Sequence, residues 1–248
     1  MILIVGGTSD ANRLAGGIAQ NGDAYIMTVT TETGRKMAEN CGIDAVVHPF
    51  TPEKIKRFIL DHGVDVVLDA SHPHAGEISR QLIEACCTMD ILYIRYERKQ
   101  TGLTEEGNQY VVDSMEDAAS LAPTLAKRIL VTGSKHAALW EATACTVIYR
   151  VLPTSEVLRE LESLHVGMDR ILAQKGPFSF DQNRTTLVDF DIDALVMKES
   201  GTTSLTGEKI RAARSLGIPC IVVRRPVIDY PNCYSTDEEI LNVLEEVK

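Results

Sequence analysis

The sequence is poor in the features that mark several large protein classes. No window approaches the roughly 18 consecutive apolar residues of a membrane-spanning helix, although 44% of the 248 residues are hydrophobic. That share suffices for one large domain or two compact ones. The cysteines are few: Cys41, Cys86, Cys87, Cys145, Cys220 and Cys233. None forms a C-x-x-C pair and most lie in apolar context, which predicts reduced thiols and a cytoplasmic protein. The opening MILIVGGTSD has neither a basic region nor a small-residue cleavage site, so it does not read as a signal peptide. No G-x-x-x-x-G-K-[ST] loop is present, which excludes a P-loop kinase. A G-x-S-x-G elbow is missing, which argues against an α/β-hydrolase. No tyrosine has a lysine four residues on, the pair usual in short-chain reductases. Positive charge is in deficit, and a net charge of −10 argues against nucleic acid or an anionic membrane as partner.

What is present is a regular alternation. Short β-rich runs (ILIVG, YIMTVTT, AVVHPF, VDVVLDA, ILYIRY) alternate with segments at helical spacing, such as residues 52–62, where Ile55, Phe58 and Ile59 share a face. Strands separated by helices predict a parallel sheet covered on both faces, an α/β fold. The second half repeats the first. ILIVGG at 2–7 matches ILVTGS at 129–134, and VVLDAS at 66–71 matches LVMKES at 195–200. VVDSMEDAASL at 111–121 matches CYSTDEEILNV at 233–243, each with a Ser or Thr suited to an N-cap and acids in the first helical turn. The expectation is two Rossmann-like, doubly wound domains related by internal duplication, residues 1–126 and 127–248, with a ligand cleft between them lined by the loops that follow the strands.

Those loops carry the candidate residues. Gly6, Gly7, Thr8 and Ser9 join a strand to a helix N-terminus, a ready place for a phosphate, although the full G-x-G-x-x-G fingerprint is absent. After the second strand, Glu32 would favour an unphosphorylated ribose, whereas Thr30, Thr31 and Arg35 suit a 2′-phosphate. His72 and His74 flank Pro73 in SHPH. No third ligand lies nearby, so no resident metal is expected. The second copy keeps the serine but has Gly201-Thr202 in place of the histidines, so they are assigned to a ligand, for contact or proton donation, rather than to the fold. Cations collect at strand ends: Arg95, Arg98, Lys135, His136, Arg150, Lys175, Lys198, Arg224 and Arg225. On an acidic chain this predicts a ligand rich in carboxylates.

Taken together, ILIVGGTSDANRLA, TTETGRKMA, VVLDASHPHAGEIS, IRYERK, RILVTGSKH, KGPFS, LVMKESG with GEKIRAARSLGIP, and VVRRP resemble the precorrin-6A reductases of cobalamin biosynthesis, in order and up to about Pro226. The chain departs from them at Lys99-Gln100, where the family often carries a proline and, further on, an aromatic residue. The resemblance implies NADPH-dependent reduction of a macrocycle double bond of precorrin-6A, with or without cobalt, to precorrin-6B, and hand-over of product to the next enzyme. It implies an anionic tetrapyrrole as substrate, with any cobalt belonging to that substrate. Under this reading His72 and His74 are the catalytic candidates. Gly6, Gly7, Thr8, Ser9, Thr31, Arg35 and Ser71 would hold the cofactor, with the Gly133 and Gly201 loops as a rival site. Arg95, Arg98, Lys135, Lys198, Ser200 and Arg224 would hold substrate carboxylates. Two other readings use the same architecture: a nucleotide-sugar transferase, and a sensor that binds NADPH without turnover.

Overall fold

The run ILIV forms strand β1 (Ile2–Val5), and all four residues are buried. A strand hidden on both faces belongs inside a parallel sheet with helices on each side. The computed structural model, which describes residues 1–101, 107–201 and 204–247, shows this arrangement twice. Thr202 of the repeat comparison lies outside the described residues.

The first unit contains β1, β2 (Tyr25–Val29), β3 (Val46–Val47), β4 (Val66–Asp69), β5 (Leu92–Tyr96) and β12 (Cys233–Tyr234). All pair in parallel, in the order β12-β5-β4-β1-β2-β3. Successive side chains alternate across the sheet. Ile2 and Ile4 join a core completed by α1 (Ser9–Gln20), α2 (Glu32–Glu39) and α10 (Asp237–Glu246), through Leu14, Ile18, Ala38, Ile240 and Leu244. Leu3 and Val5 join the opposite core, completed by α3 (Pro52–His62) and α4 (Gly76–Met89). There Ile55, Phe58 and Ile59 point inward, as their spacing predicts.

The second unit contains β6 (Gln109–Val112), β7 (Arg128–Thr132), β8 (Thr146–Val151), β9 (Ile171–Ala173), β10 (Ala194–Lys198) and β11 (Cys220–Val223), ordered β6-β11-β10-β7-β8-β9. Ile129 and Val131 face a core with α5 (Met115–Leu125), α6 (Ala137–Glu141) and α7 (Ser155–Ser163). Leu130 faces the other core, with α8 (Phe180–Asp189) and α9 (Thr206–Ser215). The strand order is that of the first unit, and the registers agree. Ile4 pairs with Leu68 as Val131 pairs with Val196. This pairing sets Asp69 against Met197, one place away from the alignment by letters, in which Asp69 falls on Lys198.

The division of the chain differs from the expected boundary at 126/127. The compact units are residues 1–98 with 226–248, and residues 99–225. The reason lies in the edge strands. β6 comes directly after the first unit's strands yet pairs with β11, whereas β12, near the end of the chain, pairs with β5. The two segments that match in sequence are therefore exchanged. Their local signals hold: Ser114 caps α5 by accepting from the Asp117 N–H at 3.0 Å, and Thr236 caps α10 through a capping box with Glu239.

Ile240 is fully buried beneath the first unit's sheet. Ile240→Ala is expected to cost about 2–5 kcal/mol of stability, measured by urea unfolding followed by circular dichroism. A loss below about 1 kcal/mol would show that α10 does not belong to that core.

Candidate functional site

At the carboxyl edge of the first sheet, β1 turns into α1 through Gly6-Gly7-Thr8. The Gly6 N–H donates to the Thr28 carbonyl at 2.8 Å, and a Cβ on Gly6 would stand 2.5 Å from the Met27 Cε. Gly7 adopts φ 101°, a left-handed value that favours glycine, with open space where a Cβ would be. The Thr8 hydroxyl accepts from the Ala11 N–H at 3.1 Å and donates to the Ala70 carbonyl at 2.9 Å, so it caps α1 and ties the turn to β4. Ser9 is exposed at the start of the helix. Across the next loop, Thr31 caps α2 by accepting from the Gly34 N–H at 3.1 Å. Arg35 pairs on its own helix with Glu32 and Glu39.

The loop after β4 is built on Asp69, which is fully buried. One carboxylate oxygen accepts from the Ser71 N–H and from Arg95, both at 3.0 Å. The other accepts from the Ser79 hydroxyl at 2.6 Å and the Tyr93 hydroxyl at 2.8 Å. Burial and the Asp69 charge push the Tyr93 phenol up, which keeps it a donor. From this base the chain makes the SHPH turn, closed by the Ala75 N–H donating to the His72 carbonyl at 2.7 Å. His72 is exposed and His74 half-buried, their rings 5.8 Å apart. The His74 N–H donates to His72 Nδ1 at 3.2 Å. An accepting Nδ1 leaves the ring proton of neutral His72 on Nε2. Among the described residues, no group of three or more His, Cys, Asp or Glu is arranged to hold a metal.

At the carboxyl edge of the second sheet, Lys135 is exposed and Lys198 is half-buried. The Lys198 ammonium lies 3.5 Å from His136 Nε2. Burial, then the Lys135 charge, lowers the Lys198 pKa, and burial with the Lys198 charge lowers that of His136. The Ser200 hydroxyl donates to the Lys198 carbonyl at 3.3 Å. The preceding Glu199 is buried and holds the Arg225 guanidinium, the Gly201 N–H at 2.8 Å and the Thr101 N–H at 3.1 Å.

The model of the precorrin-6x reductase family, CbiJ/CobK, matches residues 1–245. The chain belongs to this family. It is 33% identical to the cobalt-precorrin-6A reductase of Priestia megaterium, covering 98% of each chain. It is 34% identical to that of Methanococcus maripaludis, covering 99% of each. A solved CobK precorrin-6A reductase has the same fold, with a TM-score of 0.82 at 24% identity over 99% of this chain and 96% of that one. Precorrin-6x reductases reduce a carbon–carbon double bond of the macrocycle, so the chain is an oxidoreductase of cobalamin biosynthesis. The sugar-transferase and sensor readings gain no support. A reductase on a Rossmann-like fold implies a nicotinamide cofactor.

Within this reductase the strand-end arginines differ in role from the sequence expectation. Arg95 is 1% exposed, and its guanidinium is committed to Asp69, to Glu97 at 2.6 Å, and to the Ser71 hydroxyl and carbonyl, each at 3.1 Å. Burial alone would lower its pKa, but Asp69 and Glu97 outweigh this and raise it. These bonds tie Arg95 to the base of the SHPH loop. Arg98 is buried and pairs with Asp10, which also pairs with Arg13. Arg224 pairs with Asp113 at 2.9 Å and remains half-exposed. Sequence reasoning missed Asp69, Ser79 and Tyr93, whose only signal was a polar residue ending an apolar strand.

Breaking a buried ion pair strands the surviving charge. Asp69→Ala and Arg95→Met are each expected to cost about 3–5 kcal/mol, and the double variant clearly less than the two losses added together. Denaturant unfolding of the four proteins of the cycle measures this; strict additivity would show that the pair is not coupled.

Proposed function

We propose that the chain reduces cobalt-precorrin-6A with NADPH. The observation that carries this reading is the Gly6-Gly7-Thr8 turn at the head of a twelve-residue helix, on a chain that belongs to a reductase family. Relatives at 32–34% identity, from a bacterium and two archaea, are cobalt-precorrin-6A reductases, which supports the cobalt form of the substrate. The reading places the protein in the cytoplasm, handing its product to the next enzyme. Among the described residues, no helix is long and apolar enough to cross a membrane.

The turn suits a pyrophosphate. Open space at Gly7 lets the backbone approach closely, and the first N–H groups of α1 have no partners within the helix. Ser9 and Ser71 border this place. Thr31 and Arg35 are assigned to the ribose 2′-phosphate. The Glu32 and Glu39 pairs of Arg35 are solvent-exposed and so worth little, and a doubly charged phosphate competes with them. When bound, the nicotinamide supplies the hydride. Reducing the double bond also requires a proton at the other carbon. The Nε2–H of the exposed His72 is assigned as its source, with His74 orienting the ring through its N–H. Lys135, Lys198 and Ser200 are assigned to substrate carboxylates, as is the exposed side of Arg224. Arg95 and Arg98 are withdrawn from that set and act by positioning the loops.

The test follows NADPH oxidation at the nicotinamide band together with the chromophore, using enzymatically made precorrin-6A with and without cobalt. Oxidation with a matching chromophore shift, faster with cobalt, is the expected result; no turnover of either form would refute the reading. Arg35→Ala is expected to raise the KM for NADPH roughly tenfold and leave that for NADH unchanged, the effect of one lost charge-assisted hydrogen bond. His72→Gln should lower kcat about a hundredfold, within the range for one general acid. Full activity in His72→Gln would remove the histidine from the chemistry.

A further inference from the structure

In the second unit, Arg150 is the next-to-last residue of β8. It lies opposite Thr132, and its carbonyl accepts from the Gly133 N–H at 2.9 Å. The first unit has a direct counterpart. Thr28 of β2 lies opposite Val5, and its carbonyl accepts from the Gly6 N–H. Thr28 is buried, and its hydroxyl bonds back to its own sheet at Ile4. A small hydroxyl residue therefore satisfies this position of the fold, and the arginine at 150 calls for another explanation.

Arg150 is only 5% exposed, and both terminal guanidinium nitrogens are buried without a hydrogen-bond partner among the described residues. Its guanidinium carbon lies 4.3 Å from the ring centroid of Phe178. Phe178 comes from the KGPFS segment of the loop between β9 and α8, in which residues 174–177 are exposed. A second cation stands near. The Lys209 ammonium donates to the Ser204 carbonyl at 2.6 Å and is close enough to Arg150 for the two charges to repel. Among the described residues, neither cation has a carboxylate partner. Other buried arginines, such as Arg95, Arg98 and Arg225, each hold one.

A buried, unpartnered guanidinium is costly unless an anion completes it. We propose that Arg150 is a binding residue for a carboxylate side chain of the macrocyclic substrate, which enters where Phe178 now lies and accepts from both terminal guanidinium nitrogens, with Lys209 beside it. This rests on the proposed tetrapyrrole reading. A forked guanidinium matches a carboxylate with two parallel hydrogen bonds. A nucleotide phosphate fits the place less well. The helix that the Gly133 turn opens, α6, has five residues and no side-chain cap, whereas the Gly6 turn opens a capped helix of twelve. Burial, then the Arg150 charge, holds the Lys209 pKa down to about 8, with the buried Cys220 thiol facing it from β11. That thiol is itself pushed up to about 12 by burial and stays neutral. Protonated Lys209 therefore contributes below about pH 8, and carboxylate affinity should fall as pH rises through that value.

The experiment compares wild type, Arg150→Met, Arg150→Lys and Phe178→Ala by steady-state kinetics with cobalt-precorrin-6A and NADPH. Turnover by the wild type tests the reductase reading separately, before any variant is compared. Arg150→Met is expected to raise the KM for the macrocycle about ten- to a hundredfold, the loss of one charge-assisted pair, with the KM for NADPH unchanged. Arg150→Lys should recover part of it. Phe178→Ala should lower the macrocycle KM, because no ring need be displaced. Thermal unfolding should show Arg150→Met at least as stable as wild type. An unchanged macrocycle KM in Arg150→Met would overturn the proposal. So would a rise confined to NADPH, which would assign the anion to the nucleotide. Should Arg150→Met fail to fold, Phe178→Ala decides, and a raised KM there counts against the site.

Discussion

The open edge of a parallel sheet is a row of unpaired N–H and C=O groups, and closing the edge at β5 is the constraint on which the rest of this structure depends. β12 closes it, with the Arg95 N–H donating to the Asn232 carbonyl at 2.7 Å and the Glu97 N–H to the Tyr234 carbonyl at 2.8 Å. Because β12 comes from the end of the chain, the backbone leaves the first unit after Arg98 and re-enters it at Pro226. The whole second unit is carried between those points. The same pairing seats residues 95–98 at the strand end, where Arg95 meets Asp69 and Arg98 meets Asp10. Edge closure and loop placement are thus one event.

Both units bury an arginine just beyond corresponding strands, each paired with a carboxylate from a different element. Arg98, just after β5, pairs with Asp10 of α1, and Arg225, just after β11, pairs with Glu199, which follows β10. Such pairs are weak contributors to stability, since desolvation offsets their attraction. Their value is positional: each ties a loop that carries candidate chemistry to the rigid end of a strand. Asp69 shows this most fully. It draws Arg95, Ser71, Ser79 and Tyr93 into one network beneath the SHPH turn. A loop held this way presents His72 to solvent with its ring tautomer set by the neighbouring backbone N–H.

Much of this was legible in the residues. The alternation of apolar runs and helical segments predicted the two sheets, and Ile55, Phe58 and Ile59 point where their spacing said they would. Ser114 and Thr236 cap helices as their sequence context required. Arginine roles were less legible. Arg95, Arg98 and Arg150 all read as strand-end cations, yet the first two meet Asp69 and Asp10, distant in sequence, and the third has no carboxylate partner among the described residues. A letter records charge; the partner is decided by which strand lies alongside. The one-residue difference between the letter alignment and the registers, in which Leu68 lies opposite Ile4 as Val196 lies opposite Val131, has the same origin, because hydrogen-bond register, not residue similarity, sets equivalence between strands.

By itself the sequence determined what is local: the strand interiors, the helices and their caps, the glycine turn after β1, and the motifs that carry the family resemblance. These follow from hydrophobic periodicity, capping chemistry and backbone sterics, which act within a few residues. Only the tertiary structure decided which sheet receives β6 and which receives β12, since any strand of suitable pattern can pair with any open edge. It also decided which cations are neutralised inside the fold and which remain for a ligand, because burial and charge pairing depend on neighbours that the chain brings together only when folded.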